Sequence, residues 1–168
     1  MRILRVAGSL IAVAAIMFAA VSPARATDFT TYGFDGGRDG WNSNETILTP
    51  ANVPGVNMIV DIPLSGPTAV ADAQPLYLSN ESTPLGVTNV VYVATEDNYI
   101  LAYSPRLRQP VWQLSYGNGH TPVPNSMTGC TGETDPSLGI TSTPVIDTTT
   151  DTMYFVTDTV EGGQATFR

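Results

Sequence analysis

Past the first 26 residues, apolar and polar positions of this 168-residue chain alternate over short stretches and never recur at helical spacing. Val90-Val91-Tyr92-Val93-Ala94-Thr95 is a β-branched and aromatic run, Glu96-Asp97-Asn98 a polar break, and Tyr99-Ile100-Leu101-Ala102-Tyr103 a second apolar run. This pattern predicts a hairpin closed by a tight turn. Pro75-Leu76-Tyr77-Leu78 before it and Val111-Trp112-Gln113-Leu114-Ser115-Tyr116 after it extend the hairpin to a four-stranded antiparallel meander. Thirteen prolines and fifteen glycines punctuate the chain between such runs, so the fold class is all-β.

The same pattern returns. Val91-Tyr92-Val93-Ala94-Thr95 recurs 62 residues later as Met153-Tyr154-Phe155-Val156-Thr157, and Pro75-Leu76-Tyr77-Leu78 recurs as Pro144-Val145-Ile146-Asp147. Repeated four-stranded units of this kind read as blades of a β-propeller, with a β-sandwich of similar strands as the alternative. The spacing exceeds the roughly 40 to 50 residues of a plain blade, and the surplus falls in a polar stretch from Gly117 to Gly139, expected to be an inserted loop. Ala165-Thr166-Phe167-Arg168 would begin the third strand of the second copy, which reads as truncated. Two blades do not close a ring, so the segment is expected to depend on the remainder of a propeller or on another protein chain.

The N-terminus sets the compartment. Arg2 and Arg5 precede an uncharged apolar run from Val6 to Val21, and Ser22-Pro23-Ala24-Arg25-Ala26 follows with an A-x-A arrangement. The run is shorter than the roughly 20 residues that span a bilayer, so it predicts a signal peptide cleaved near Ala26. The mature chain would begin at Thr27, be secreted or periplasmic, and have no membrane span. Its four arginines face fifteen acidic residues, a net charge of −11 against −8 for the whole chain. Such a surface repels phosphate backbones, which argues against nucleic acid as a partner. Cys130 is the single cysteine, so no internal disulfide staples the fold.

Three segments resemble the exported bacterial proteins with pyrroloquinoline-quinone-type (PQQ-like) propeller repeats. Arg38-Asp39-Gly40-Trp41-Asn42-Ser43-Asn44-Glu45-Thr46-Ile47-Leu48-Thr49-Pro50-Ala51-Asn52-Val53 is similar to the family's N-terminal segment. Ala73-Gln74-Pro75-Leu76-Tyr77 with Asn89 to Glu96 is similar to its first blade, and Gly129-Cys130 with Gly139-Ile140-Thr141-Ser142-Thr143-Pro144-Val145-Ile146-Asp147 to the opening of the next. The family's blade signature of alanine, aspartate, glycine and tryptophan keeps its spacing as Ala102, Ser104, Arg108 and Trp112, with serine for the aspartate and arginine for the glycine. Those two replacements are expected to loosen the turn. The resemblance implies a partial β-propeller of quinoprotein type, with about two four-stranded antiparallel blades, the second incomplete. It assigns Ala102, Trp112 and Pro144 structural roles, Trp112 packing between blades. The expected organisation is 1–26 signal peptide, 27–72 N-terminal lead-in, 73–116 first blade, 117–139 inserted loop, and 140–168 second blade.

Quinoprotein dehydrogenases of this architecture hold pyrroloquinoline quinone beside calcium, with an aspartate as base. No adjacent cysteine pair and no cofactor motif of theirs can be matched here. Candidate binding residues are therefore His120, Cys130, Glu133 and Asp135 of the 117–139 loop, since long polar loops on rigid scaffolds carry binding groups. Their spacing matches no compact metal site. Asp35, Asp39, Asn42, Asn44 and Glu45 offer oxygens without the order of a calcium loop, and they read as a turn-rich lead-in. No catalytic constellation is visible, which makes a binding or assembly scaffold the leading expectation. The alternatives are the N-terminal part of a PQQ-dependent dehydrogenase of alcohols or sugars, and a carbohydrate- or cell-surface-binding module.

Overall fold

The computed structural model describes residues 27–116, 121–129 and 135–168. The expected signal peptide lies outside them. Among the described residues, ten strands and two single-turn 3-10 segments, Val53–Gly55 and Asn125–Met127, make up the regular structure. Every strand pairing is antiparallel. No described helix is long and apolar enough to cross a membrane.

The predicted meander forms the first sheet: β1 (Leu76–Thr83), β2 (Gly86–Ala94), β3 (Tyr99–Ser104) and β4 (Gln109–Ser115), in that spatial order. β3 is buried along nearly its whole length, whereas β4 is an exposed edge. The difference follows from composition. Ile100, Leu101, Ala102 and Tyr103 are apolar on both faces, while Gln109, Pro110 and Gln113 interrupt β4 with groups that favour a wet edge.

Ser104 and Arg108 explain how the β3–β4 turn tolerates its altered signature. The Ser104 hydroxyl accepts from the Leu107 amide at 3.2 Å and shares a 2.7 Å hydrogen bond with the Thr88 hydroxyl, so it caps the turn as an aspartate would. Arg108 stands at φ 55°, the left-handed region where glycine is unstrained, and its amide donates to the Ser104 carbonyl at 2.8 Å. The turn is closed, contrary to the loosening expected from the sequence. The residual strain sits in the backbone of Arg108.

The repeated hairpin also forms. β7 (Val145–Asp147) pairs with β8 (Thr152–Tyr154) in a two-stranded sheet. Leu76 faces Tyr92 and Tyr77 faces Val91 in the first copy, and Val145 faces Tyr154 and Ile146 faces Met153 in the second. These are the positions equated by the sequence repeat, so the two hairpins share one register.

The rest of the second half departs from a simple meander. β9 (Asp158–Glu161) and β10 (Gln164–Phe167) form a hairpin; the Ala165 to Arg168 run expected to begin the third strand of the second copy falls largely on β10, with β9 preceding it and both strands in a different sheet from β7–β8. The stretch expected as an inserted loop contributes β5 (Thr121–Pro124) and β6 (Ser137–Leu138), which complete a four-stranded sheet in the order β10-β9-β5-β6. Pro122 and Pro124 obscure β5 in the sequence, and both lie in a short strand where few ladder bonds are needed. Among the described residues no sheet closes on itself.

Two apolar clusters hold these pieces together. Ala73, Ala94, Ile100 and Ile140 form one, and Leu76, Leu78 and Ile146 the other, with Met153 touching both. A fully buried leucine or isoleucine contributes about 1.5–3 kcal/mol, so clusters this small hold the fold only with help from polar contacts. Phe29 and Thr30 add one such stitch. Phe29 exchanges backbone hydrogen bonds with Tyr77 of β1, and the Thr30 carbonyl accepts from the Ile146 amide of β7 at 2.8 Å.

Two glycine-related substitutions test this packing. Arg108→Gly is expected to raise stability by about 0.5–1 kcal/mol in urea unfolding, through relief of the left-handed residue. Gly139→Ala would drive a Cβ onto the Glu96 backbone carbonyl and is expected to lower stability by about 2–3 kcal/mol, whereas Gly36→Ala, in open space, stays within about 0.5 kcal/mol. Equal stabilities of the two alanine variants would contradict the tight approach at Gly139.

Candidate functional site

The β2–β3 turn is the most constrained polar feature of the described structure. Glu96, Asp97 and Asn98 form a three-residue loop, and Asn98 takes the left-handed position at φ 60°, which asparagine tolerates. Hairpin tips are ordinarily solvated, yet Thr95, Glu96, Asp97 and Asn98 are at most 4% exposed. Burial of such groups is affordable only with hydrogen bonds, and the rest of the chain supplies them.

Asp97 gathers the lead-in: its Oδ2 accepts from the Thr68 amide at 2.9 Å, the Thr68 hydroxyl at 2.8 Å and the Ala69 amide at 2.9 Å. Gly66, at φ 114°, lies so close to the Asp97 carboxylate that no side chain fits there. Glu96 gathers the second half. Its Oε2 accepts from the Gly139 amide at 2.7 Å and the Thr141 hydroxyl at 2.9 Å, while its own amide donates to the Val70 carbonyl at 3.0 Å. Asn98 donates through Nδ2 to the Asp158 carbonyl at 3.0 Å, which ties in β9. Glu96 Oε1, Asn98 Oδ1 and Thr157 Oγ1 are buried around this junction without a hydrogen-bond partner.

Electrostatics of the turn follow from that burial. Desolvation pushes the Glu96 carboxyl above its ordinary range, the bonds from Gly139 and Thr141 pull it back, and Asp72 and Asp135 push it further up. Asp135 is itself raised, first by a hydrogen bond with the Asp72 carboxyl. Of the loop residues singled out from the sequence, Asp135 alone can be placed, beside Asp72. His120, Cys130 and Glu133 lie outside the described residues.

A second feature is a cleft of about 110 Å³ between the first sheet and the β7–β8 hairpin, with Leu78, Ile146 and Met153 on its apolar side. Tyr92 and Trp112 form its aromatic wall, their ring centroids 5.8 Å apart and tilted by 49°. Glu81 and Asp151 also line it. Burial, then the charges of Glu81 and Asp151, push the Tyr92 phenol up to about 12. Burial, then Asp151 and Asp28, raise the Glu81 carboxyl. Trp112 is placed there by its pairing with Ala102, which is fully buried and leaves room for the indole across the ladder. Pro144, also buried, directly precedes β7.

The lead-in oxygens behave as turn formers. Asp35, Asp39 and Asn42 each accept from a backbone amide two residues on, at 2.7, 2.9 and 3.1 Å. Glu45 accepts from Ile47 and Leu48, and the Leu48 bond, then the Ile47 bond, hold its carboxyl below the ordinary range. Among the described residues no three His, Cys, Asp or Glu side chains group as metal ligands.

The turn itself is legible in the sequence, but its burial is not, because Glu-Asp-Asn between two strands signals an exposed tip. Its burial depends on Gly66 and Gly139, remote in sequence. The raised Glu96 carboxyl gives a signed expectation. The folded chain holds that proton more tightly than the unfolded chain, so the associated stability is full below about pH 4.5, the ordinary glutamate value, and is lost as pH rises through the elevated one. Glu96→Gln should remove this component, flattening the stability-versus-pH curve above pH 4.5 by up to about 1.4 kcal/mol per pH unit in urea titrations. Parallel curves for the two proteins would contradict it. Searches against known proteins add no identity: no family model, no curated protein and no solved structure matches this chain.

Proposed function

We propose that the chain is an exported β-propeller segment of PQQ-like repeat type that serves as a binding or assembly scaffold. The observation that carries this reading is the pair of hairpins, β1–β2 and β7–β8, which repeat in sequence and pair in one register. Their contact through Leu76, Leu78 and Ile146, with Trp112 beside it, agrees with a tryptophan that packs between blades. The exposed β4 edge, with Leu114 45% exposed on it, offers surface to a further sheet or partner chain.

Sedimentation of the chain from Thr27 onward tests the assembly part. An associated species of defined stoichiometry is expected, and a stable compact monomer would overturn it. In parallel, the protein supplied with pyrroloquinoline quinone and calcium is expected to reduce no artificial dye with alcohols or sugars. Quinone-dependent turnover would replace the scaffold by a dehydrogenase.

A further inference from the structure

We propose that the cleft walled by Tyr92 and Trp112 and flanked by Glu81 and Asp151 binds an organic ammonium group. Several independent features of the cleft converge on that chemistry. Its volume of about 110 Å³ lies between the roughly 10–15 Å³ that holds one water and the roughly 150 Å³ cavity that takes benzene, which suits a head group of a few heavy atoms. Two aromatic rings that pack on each other at a tilt both line the cleft, and the Trp112 indole is 40% exposed and therefore reachable. An aromatic face attracts a cation through its quadrupole, tryptophan most strongly.

Charge selects the sign of the guest. Glu81 and Asp151 both line the cleft, and among the described residues no arginine lines it with them. The described ion pair, Arg168 with Glu161, lies elsewhere. Glu81 and Asp151 also act on the Tyr92 phenol, so their field reaches the aromatic wall. An anionic guest would meet two like charges, and a neutral one would leave them unscreened. Leu78, Ile146 and Met153 complete the site with apolar surface that suits the methyl or methylene groups around an ammonium nitrogen.

Trp112 is its own reporter. Trp41 and Trp112 are the two tryptophans, so in a Trp41→Phe background the emission comes from the cleft. Choline is expected to change that emission saturably, with a Kd of about 1 mM or tighter, while its neutral carbon isostere 3,3-dimethylbutan-1-ol binds at least about tenfold more weakly. Nα-acetyl-lysine amide tests whether a side-chain ammonium is taken as well as a free quaternary one; binding of either ammonium probe supports the proposal. Glu81→Gln with Asp151→Asn, which keeps shape and removes charge, is expected to weaken choline by about tenfold or more with an unchanged far-ultraviolet spectrum. Equal binding of choline and the isostere, an unaffected double variant, or no saturable response to either ammonium probe would overturn it.

Discussion

The rest of the structure depends on the burial of one hairpin turn. A carboxylate taken out of water is strongly unfavourable unless donors replace its hydration, and Glu96 and Asp97 find theirs on segments far away in sequence. Asp97 draws the 66–70 stretch against the first sheet, Glu96 draws in Gly139 and Thr141, and Asn98 fixes β9. The backbone repeats the pattern, with the Ile140 amide donating to the Thr95 carbonyl and the Asp158 amide to the Gly139 carbonyl. Hydrogen bonds to charged groups contribute about 1.5–3 kcal/mol each, as much as a buried leucine. In a chain whose apolar clusters comprise a few side chains, the turn fastens the second half to the first.

From that junction the arrangement of the cleft follows. With Gly139 and Ile140 held against the turn, the chain passes through buried Pro144 into β7, and Ile146 reaches Leu76 and Leu78. Met153 bridges the two apolar clusters, so β8 is placed by both. The gap left beside this contact is bounded by the aromatic pair on β2 and β4 and by carboxylates on β1 and after β7. The polar anchor and the cleft are thus joined by one short stretch of chain, from Gly139 to Met153.

Much of the fold was legible in the residues. Val90 to Tyr103, with its β-branched runs and polar break, specified the hairpin and its turn, and the recurrence at Met153 to Thr157 located β8. β5 and β6 were not legible, because Thr-Pro-Val-Pro and a two-residue Ser137–Leu138 carry little strand signal and are strands through their partners. Burial of Glu96, Asp97 and Asn98 was likewise hidden: it is a property of where Gly66, Gly139 and Thr141 pack, and local polarity points the other way. Ala102 and Trp112 could be singled out through the blade signature that the family resemblance supplies, whereas Glu81 and Asp151 join Trp112 at the cleft only through the packing of β7–β8 on β1–β2. Of the candidate loop residues, Asp135 took a place beside Asp72 and not in the cleft.

Amide hydrogen exchange at the junction tests the central claim most directly. If the buried turn fastens the two halves, the amides of Asn98, Gly139, Ile140 and Asp158 open only with global unfolding and share the free energy of the most protected amides in β2 and β3. Exchange of Gly139 and Asp158 through a separate, lower-energy opening, with β2 and β3 still protected, would contradict the account.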